Sequence, residues 1–161
     1  MKKNENIDSN NLHDLENCIY SAIKLALGKY VDKNKIQIID SGVPHFPTSL
    51  PDGKMAVYAF FYKNECLKIG KVGPNSNARY FSQHYNPKSS QSNLAKSLLA
   101  DNKFPVKTLN EENICDWIKQ NIRRINILVD KDLGIYIINL IEAFTQLYFH
   151  PKYEGFDAQI K

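Results

Sequence analysis

The first part of the chain carries an apolar stripe at helical spacing. The stripe consists of Leu15, Ile19, Ala22, Ile23, Ala26 and Leu27. This periodicity predicts an amphipathic helix that begins near Leu12 and ends at Gly28. Residues 1–12 are polar and rich in asparagine, so we expect a frayed terminus before the helix.

Two short runs in the middle of the chain have the composition of β-strands. Met55 to Tyr62 and Cys66 to Val72 are rich in β-branched and aromatic residues, and only three residues separate them. Such a pair predicts a β-hairpin. Ile125 to Val129 predicts a third strand, whereas the alternation from Ile36 to Ile39 indicates at most a short one.

Strand alternation assigns the side chains of this hairpin to two faces. Residues two apart share a face, so Tyr58 and Phe60 are expected side by side. By the same rule Cys66, Lys68 and Gly70 are expected on one face of the second strand. A face that mixes aromatic, basic and glycine residues is more typical of a cleft than of a core.

Helices are predicted around these strands. Their expected spans are Ser76 or Asn77 to Tyr85, Asn93 to Ala100 behind a Ser92 cap, the segment after Asn110, and Asp130 or Asp132 to Phe149. Residues 42–53 contain three prolines, so we expect a stiff extended arm there. The pattern therefore predicts a mixed α/β (α+β) fold, with a small three-stranded, mainly antiparallel sheet flanked by helices and an N-terminal helical extension.

The length and composition of the chain are typical of a single domain with one hydrophobic core. The chain has 161 residues, of which 43% are hydrophobic. We expect residues 1–54 to hold the tail, the first helix and the arm, and residues 55–161 to form one compact unit. No run approaches the ~20 apolar residues of a membrane span, and no signal segment is visible. The three cysteines form no metal-ligand pair, so we expect buried thiols in a cytoplasmic protein that does not enter a membrane.

Basic residues concentrate in the middle of the chain. The formal net charge of the whole chain is +4, but residues 63–107 contain eight lysines and arginines against two acidic residues, a local charge of +6. A basic centre is typical of proteins that bind polyanions such as nucleic acids. A solvated, lysine-rich surface has the same charge, so charge alone leaves both interpretations open.

A tyrosine, a lysine, an arginine and a carboxylate lie at intervals that suit phosphodiester hydrolysis. Tyr58 and Lys68 lie on the two hairpin strands, Arg79 lies at the start of the next helix, and Glu142 lies in an otherwise apolar helix. The reaction needs an activated water, neutralised phosphoryl charge and a protonated leaving oxygen. Arginine presents a planar fork to phosphate. A single carboxylate can hold Mg²⁺, because this ion keeps several waters and takes phosphate oxygens as ligands.

Glu142 has two interpretations from its local sequence. A carboxylate within the apolar run Ile137 to Phe144 is costly if it is buried and unpaired, which favours a functional role. The nearby Asn139, Thr145 and Gln146 instead favour a partly wet helix face.

These residues resemble the GIY-YIG endonuclease superfamily. Ala56-Val57-Tyr58 is similar to the family's first strand motif, and Lys68-Ile69-Gly70 is similar to its second, with lysine in place of the usual tyrosine. Arg79 follows on the next helix. Glu142 precedes Pro151 by nine residues, as the family's glutamate precedes its helix-ending proline.

The resemblance implies a metal-dependent DNA endonuclease over residues 55–155. It is closest to the restriction-endonuclease branch, which uses lysine in the second motif. Tyr58, Lys68, Arg79 and Glu142 are then the catalytic residues, with Glu142 as the single protein ligand of Mg²⁺ or Mn²⁺. Cleavage of both DNA strands would need a homodimer or two sequential nicks. A catalytically inactive nucleic-acid-binding module of the same fold is one alternative, and an interaction domain without nucleic acid is another.

The proton acceptor and the phosphate contacts stay open. Tyr58, Lys68 and Lys71 are each candidates for the general base, since an ammonium beside a phenol favours the phenolate. Lys71, as in many relatives, is expected to bind the nucleic acid, and a solvated strand-end lysine is the alternative. His84 is expected to contact nucleic acid or assist the base, and a surface histidine is the alternative.

Overall fold

The computed structural model describes residues 9–89 and 92–153. Within them, the strands are β1 (Ile36–Asp40), β2 (Lys54–Tyr62), β3 (Glu65–Val72) and β4 (Arg123–Asp130). The α-helices are α1 (Ser9–Leu27), α2 (Asn77–Phe81), α3 (Leu94–Ala100), α4 (Ile114–Asn121) and α5 (Ile135–Phe149). Short 3₁₀ turns cover Lys33–Lys35, Gln83–Tyr85 and Lys131–Leu133. Over these described ranges, no helix combines the length and the apolar character needed to cross a membrane.

The strands form one antiparallel sheet in the order β1-β4-β2-β3. The mixed α/β class and the β2–β3 hairpin agree with the sequence, but the prediction of a three-stranded sheet is wrong because β1 adds a fourth strand. Ile36 pairs with Val129, and Asp40 pairs with Ile125. The five residues of β1 are too few for the alternation of apolar and polar residues to predict a strand of the sheet. The free edge of β4, remote in sequence, supplies the hydrogen-bond partners.

Helices cover both faces of the sheet, so seven of the nine residues of β2 are buried. We call one side the α1/α5 face, because α1 and α5 pack there on Val57, Ala59 and Ile69. The other side is the α2–α4 face, where α2, α3 and α4 pack on Tyr58 and Phe60. A strand covered on both sides reads as a continuous apolar run, as β2 does in the sequence.

A bulge changes the expected alternation in β3. The register shifts between Phe60 and Phe61, so that Phe60 pairs with Lys68 but Phe61 pairs with Cys66. Leu67 is the extra residue on the bulged strand. Cys66 therefore packs on the α1/α5 face, and the expectation that it shares a face with Lys68 is wrong.

Four helix starts differ from the expected positions. Helix α1 begins at Ser9 instead of near Leu12. Helix α4 begins at Ile114 after an Asn113 cap instead of directly after Asn110. The other two are the starts of α3 and α5. The N-cap of α3 is Asn93, whose Oδ1 accepts a hydrogen bond from the backbone N–H of Lys96 at 2.8 Å. The last helix, α5, begins only at Ile135, because β4 runs to Asp130 and Gly134 adopts a φ of +81° before the helix. That backbone conformation favours glycine.

The N-terminal segment packs against the same sheet. Leu15, Ile19 and Ile23 of α1 belong to the buried cluster of the α1/α5 face. The proline-rich arm has no regular element of its own, and His45 N–H donates to the Lys119 carbonyl of α4 at 2.9 Å. Residues 9–54 therefore supply a helix, a strand and a brace to the elements that carry the predicted site.

Candidate functional site

Tyr58 lies near the middle of β2 and is 1% exposed. Its ring crosses directly over Gly70, its partner on β3. A Cβ built on Gly70 would lie 2.6 Å from the Tyr58 hydroxyl oxygen. Only glycine leaves room for this approach, which explains physically why a glycine stands at this strand position.

Two N–H groups converge on the hydroxyl oxygen of Tyr58. Arg79 Nε donates to it at 3.0 Å, and His84 Nε2 lies 2.7 Å away. The backbone N–H of Leu94 donates to His84 Nδ1 at 3.3 Å. Because a backbone N–H can only donate, Nδ1 carries the lone pair, and the neutral ring therefore carries its proton on Nε2. His84 is thus the second donor, and the proton of the Tyr58 hydroxyl points toward neither partner.

Burial and charge set the protonation states of the two rings. Burial raises the pKa of the Tyr58 phenol, and the Arg79 guanidinium opposes that shift. Burial lowers the pKa of His84 to about 3, and the cations Lys68, Arg79 and Arg124 act in the same direction. At neutral pH the pair is therefore a neutral phenol and a neutral imidazole.

Glu142 lies on α5 and forms an ion pair with Lys71 of β3. The Glu142 side chain is 19% exposed, and the Lys71 side chain is 36% exposed. The carboxylate is therefore neither buried without a partner nor fully solvated, because the ammonium compensates its charge. Neither of the two interpretations from the local sequence included this lysine.

The Tyr58–Arg79–His84 contacts and the Lys71–Glu142 ion pair lie on opposite faces of the edge strand β3. Gly70 pairs with Tyr58 on the α2–α4 face, whereas Lys71 pairs with Val57 on the α1/α5 face. The charge of Glu142 contributes to the raised pKa of Tyr58, so the carboxylate acts electrostatically on the phenol. One contact group thus consists of Tyr58, Arg79 and His84, the other of Lys71 and Glu142, and residues 70–71 join them.

Lys68 lies on the same face as Tyr58 but points elsewhere. It is 3% exposed, and its ammonium donates to the backbone carbonyl of Tyr153 at 3.3 Å. The donors at the phenol oxygen are Arg79 and His84, and the charge of Lys68 acts on His84. The predicted support of the base by Lys68 is therefore not a direct contact here.

A buried polar network under the phenol is not predicted by the sequence. Arg124 of β4 is 2% exposed, and its Nε, Nη1 and Nη2 donate to Asn126 Oδ1, Tyr85 Oη and the Tyr80 carbonyl, each at 2.9 Å. Its Cζ lies 5.6 Å from the ring centroid of Tyr58. The guanidinium therefore forms part of the floor of the site.

One sequence signal for this network exists. Arg124 and Asn126 alternate with Ile125 and Ile127, and residues two apart on a strand share a face. The same alternation is typical of an ordinary solvated strand face. Only helix packing over that face shows that the polar residues are interior.

Glu142 is the side chain of this site that fits a divalent cation. In residues 9–89 and 92–153, no three His, Cys, Asp or Glu side chains form a metal-binding group. A single carboxylate serves Mg²⁺ or Mn²⁺ where waters and substrate phosphates complete the coordination, and Lys71 competes for its oxygens. The donor set therefore fits a hydrated ion shared with a phosphate substrate, and not a caged structural ion.

A scan against protein-family models, a search of curated proteins and a search of solved structures found no match to this chain. The site geometry, the charge distribution and the resemblance of the motifs are the observations that bear on its function.

Proposed function

We propose that this protein is a metal-dependent endonuclease that hydrolyses DNA phosphodiester bonds. The observation that carries the proposal is the convergence of Arg79 and His84 on the hydroxyl oxygen of Tyr58. The Lys71–Glu142 pair lies on the other face of β3, where Lys71 directly follows Gly70, the partner of Tyr58. Hydrogen bonds to the charged form of a group favour that form. The two N–H donors therefore stabilise a phenolate at this position, against the burial that raises the pKa of the phenol.

In the proposed reaction Tyr58 is the general base. Its phenolate takes a proton from the attacking water, the resulting hydroxide attacks the phosphorus, and the P–O bond to the leaving oxygen breaks, with solvent protonating that oxygen. Arg79 and His84 stabilise the phenolate before the proton transfer. Arg79 is an exposed residue, so its guanidinium also reaches substrate and neutralises phosphoryl charge. When bound at Glu142, Mg²⁺ or Mn²⁺ supplies further charge neutralisation at the scissile phosphate. Because burial raises the pKa of Tyr58, the rate should rise as the pH rises above neutrality.

DNA is the proposed polyanion, and the basic segment of residues 63–107 supports it. Lys71 binds the phosphate backbone beside the reacting group. Cleavage of both strands requires a homodimer or two successive nicks, since residues 9–89 and 92–153 carry one such site. A restriction-like role and a cytoplasmic location belong to the same proposal.

One observation favours a second candidate, a nucleic-acid-binding module that does not cleave. The ammonium of Lys71 already compensates the carboxylate of Glu142, which is the group that a cation needs. If DNA does not displace this lysine, the basic surface still binds phosphates but the metal site stays closed.

Nicking of supercoiled plasmid by the full chain, in Mg²⁺ or Mn²⁺, tests both candidates. The endonuclease proposal expects relaxed circles that disappear with Tyr58→Phe and with Glu142→Gln. Tyr62→Phe, which removes a hydroxyl from the same strand and face, and Glu112→Gln, which changes an exposed acid on the α4 side, should both leave nicking unchanged.

Separate outcomes distinguish the alternatives. Salt-sensitive retention of duplex DNA without cleavage in either metal supports the binding module. Cleavage that survives Glu142→Gln contradicts the assigned metal ligand. Affinity for DNA that does not depend on salt, together with no cleavage, contradicts both candidates.

A further inference from the structure

Arg124 is a buried cation whose hydrogen-bond acceptors are all neutral. Its three bonds go to an amide oxygen of Asn126, the hydroxyl of Tyr85 and the backbone carbonyl of Tyr80. Three hydrogen bonds, one from each guanidinium nitrogen, fix the group in place. None of these acceptors neutralises its charge.

The adjacent residue shows the contrast. Arg123 forms an ion pair with Asp40, with Nη2 and Oδ2 2.6 Å apart. Over the described ranges Arg124 forms no ion pair with a carboxylate, although it is 2% exposed. A buried charge without a counter-charge is costly. Such a cation strongly favours any negative charge that develops beside it.

A second chain of hydrogen bonds includes the Tyr85 hydroxyl, which is one of the three acceptors of Arg124. His45 Nδ1 lies 2.6 Å from the Ile122 carbonyl, which can only accept, so Nδ1 carries the ring proton. His45 Nε2 then accepts from the Tyr85 hydroxyl at 2.8 Å. Burial lowers the pKa of His45, which keeps the ring neutral. The Tyr85 hydroxyl therefore donates to His45 and accepts from Arg124, and no anion enters the chain.

The charge of Arg124 faces the ring of Tyr58. Its Cζ lies 5.6 Å from the Tyr58 centroid and 4.4 Å from the Tyr80 centroid. A phenolate spreads negative charge into its ring, so a cation at the ring face interacts with it more strongly than with the phenol. The other charged or titratable groups around Tyr58 are Arg79 and Tyr80 of α2, His84 of the 3₁₀ turn, Lys68 of β3 and Glu142 of α5.

We propose that Arg124 is a positioning residue that holds the ring of Tyr58 and stabilises its phenolate once the phenol has lost its proton. Arg124 stays charged throughout and exchanges no proton with Tyr58. Its role in catalysis rests on the proposed endonuclease function, whereas its interaction with Tyr58 does not.

Fluorine NMR on the full chain labelled with 3-fluorotyrosine tests the interaction directly. The fluorinated phenol ionises at lower pH, which brings its titration into the range where the protein is folded, and Tyr58→Phe assigns the resonance. We expect the midpoint of the Tyr58 titration to move to higher pH in Arg124→Gln. It should move less in Arg124→Lys, which keeps the charge but loses the planar fork, and not at all in the matched control Arg123→Gln.

Two outcomes in the Arg124 variants, and one in the control, overturn the inference. One is an unchanged Tyr58 midpoint in folded Arg124→Gln. The other is an unchanged Tyr58 midpoint in Arg124→Lys. This result decides the question if Arg124→Gln does not fold. An equal shift in the Arg123→Gln control also counts against it, because Arg123 is paired with Asp40 and does not face the Tyr58 ring.

Cleavage assays separate this inference from the proposed function. The rising limb of the pH–rate profile should move to higher pH in Arg124→Gln, and the rate at neutral pH should fall about tenfold or more. If the parent chain never cleaves DNA, the proposed function fails while the fluorine titration still tests Arg124. Cleavage with an unchanged titration overturns the role of Arg124 alone.

Discussion

Replacing Gly70 by alanine tests the close approach of the phenol to β3. The new Cβ would lie 2.6 Å from the hydroxyl oxygen, 2.8 Å from Cζ and 2.9 Å from Cε2 of Tyr58. Real Cβ atoms essentially never approach other heavy atoms closer than 3.0 Å, so the ring or the strand must move. The ring is 1% exposed, and Arg79 and His84 hold its oxygen.

Both ways of relieving this overlap cost free energy, and the less costly one sets the size of the effect. Overpacking of a buried site lowers the free energy of unfolding by about 1–3 kcal/mol. If the ring moves away instead, it loses one neutral hydrogen bond of about 1 kcal/mol and one from a charged donor, about 1.5–3 kcal/mol. We therefore expect Gly70→Ala to lower the free energy of unfolding by about 2 kcal/mol.

Urea unfolding followed by circular dichroism measures this loss, and the chain offers a matched control. Gly73→Ala lies three residues further on, has no heavy atom within 4 Å of its built Cβ and has no left-handed φ, so it should be neutral or slightly stabilising. In the Tyr58→Phe background the penalty of Gly70→Ala should shrink, because the nearest atom is gone. Unfolding free energies of Gly70→Ala and Gly73→Ala within about 0.5 kcal/mol of each other would refute the reasoning.

Two further predictions concern acid stability and thiol access. A hydrogen bond from Lys152 lowers the pKa of Asp101 from 3.8 to about 2. Because the folded-state pKa is the lower one, this stabilisation is complete above pH 3.8 and is lost as the pH falls to about 2. The melting temperature of Asp101→Asn should therefore depend less on pH over that interval than the melting temperature of the parent chain. An unchanged pH dependence would show that the Lys152–Asp101 contact is not stabilising. Cys18 is exposed, Cys115 is half-buried and Cys66 is buried, so the expectation of buried thiols holds for one cysteine only. A thiol reagent should modify Cys18 first, Cys115 more slowly and Cys66 only after unfolding, whereas equal rates in the folded protein would contradict these exposures.

Local pattern was enough to place the hairpin and to nominate the site. The hairpin strands, the first helix and the strand at Ile125 all follow from periodicity over a few residues, which depends on which face is buried. Tyr58, Gly70 and Arg79 could be nominated because a phenol, a glycine and a guanidinium at these strand and helix ends carry distinctive chemistry. Their contacts could not be deduced, because hydrogen-bond partners depend on distances between segments.

The sequence by itself determined the hairpin strands, the strand at Ile125, the approximate extent of the first helix and the chemistry that their residues carry. Tertiary packing alone decided that β1 joins β4, that Lys71 reaches Glu142 and that His84 donates to the Tyr58 oxygen. It also decided that Arg124, at a polar position of β4, is a buried cation, since helices cover that face of the sheet. The physical reason is the same in each case: local pattern reports which side of a segment avoids water, whereas the partner on that side is set by chain packing across long sequence separations.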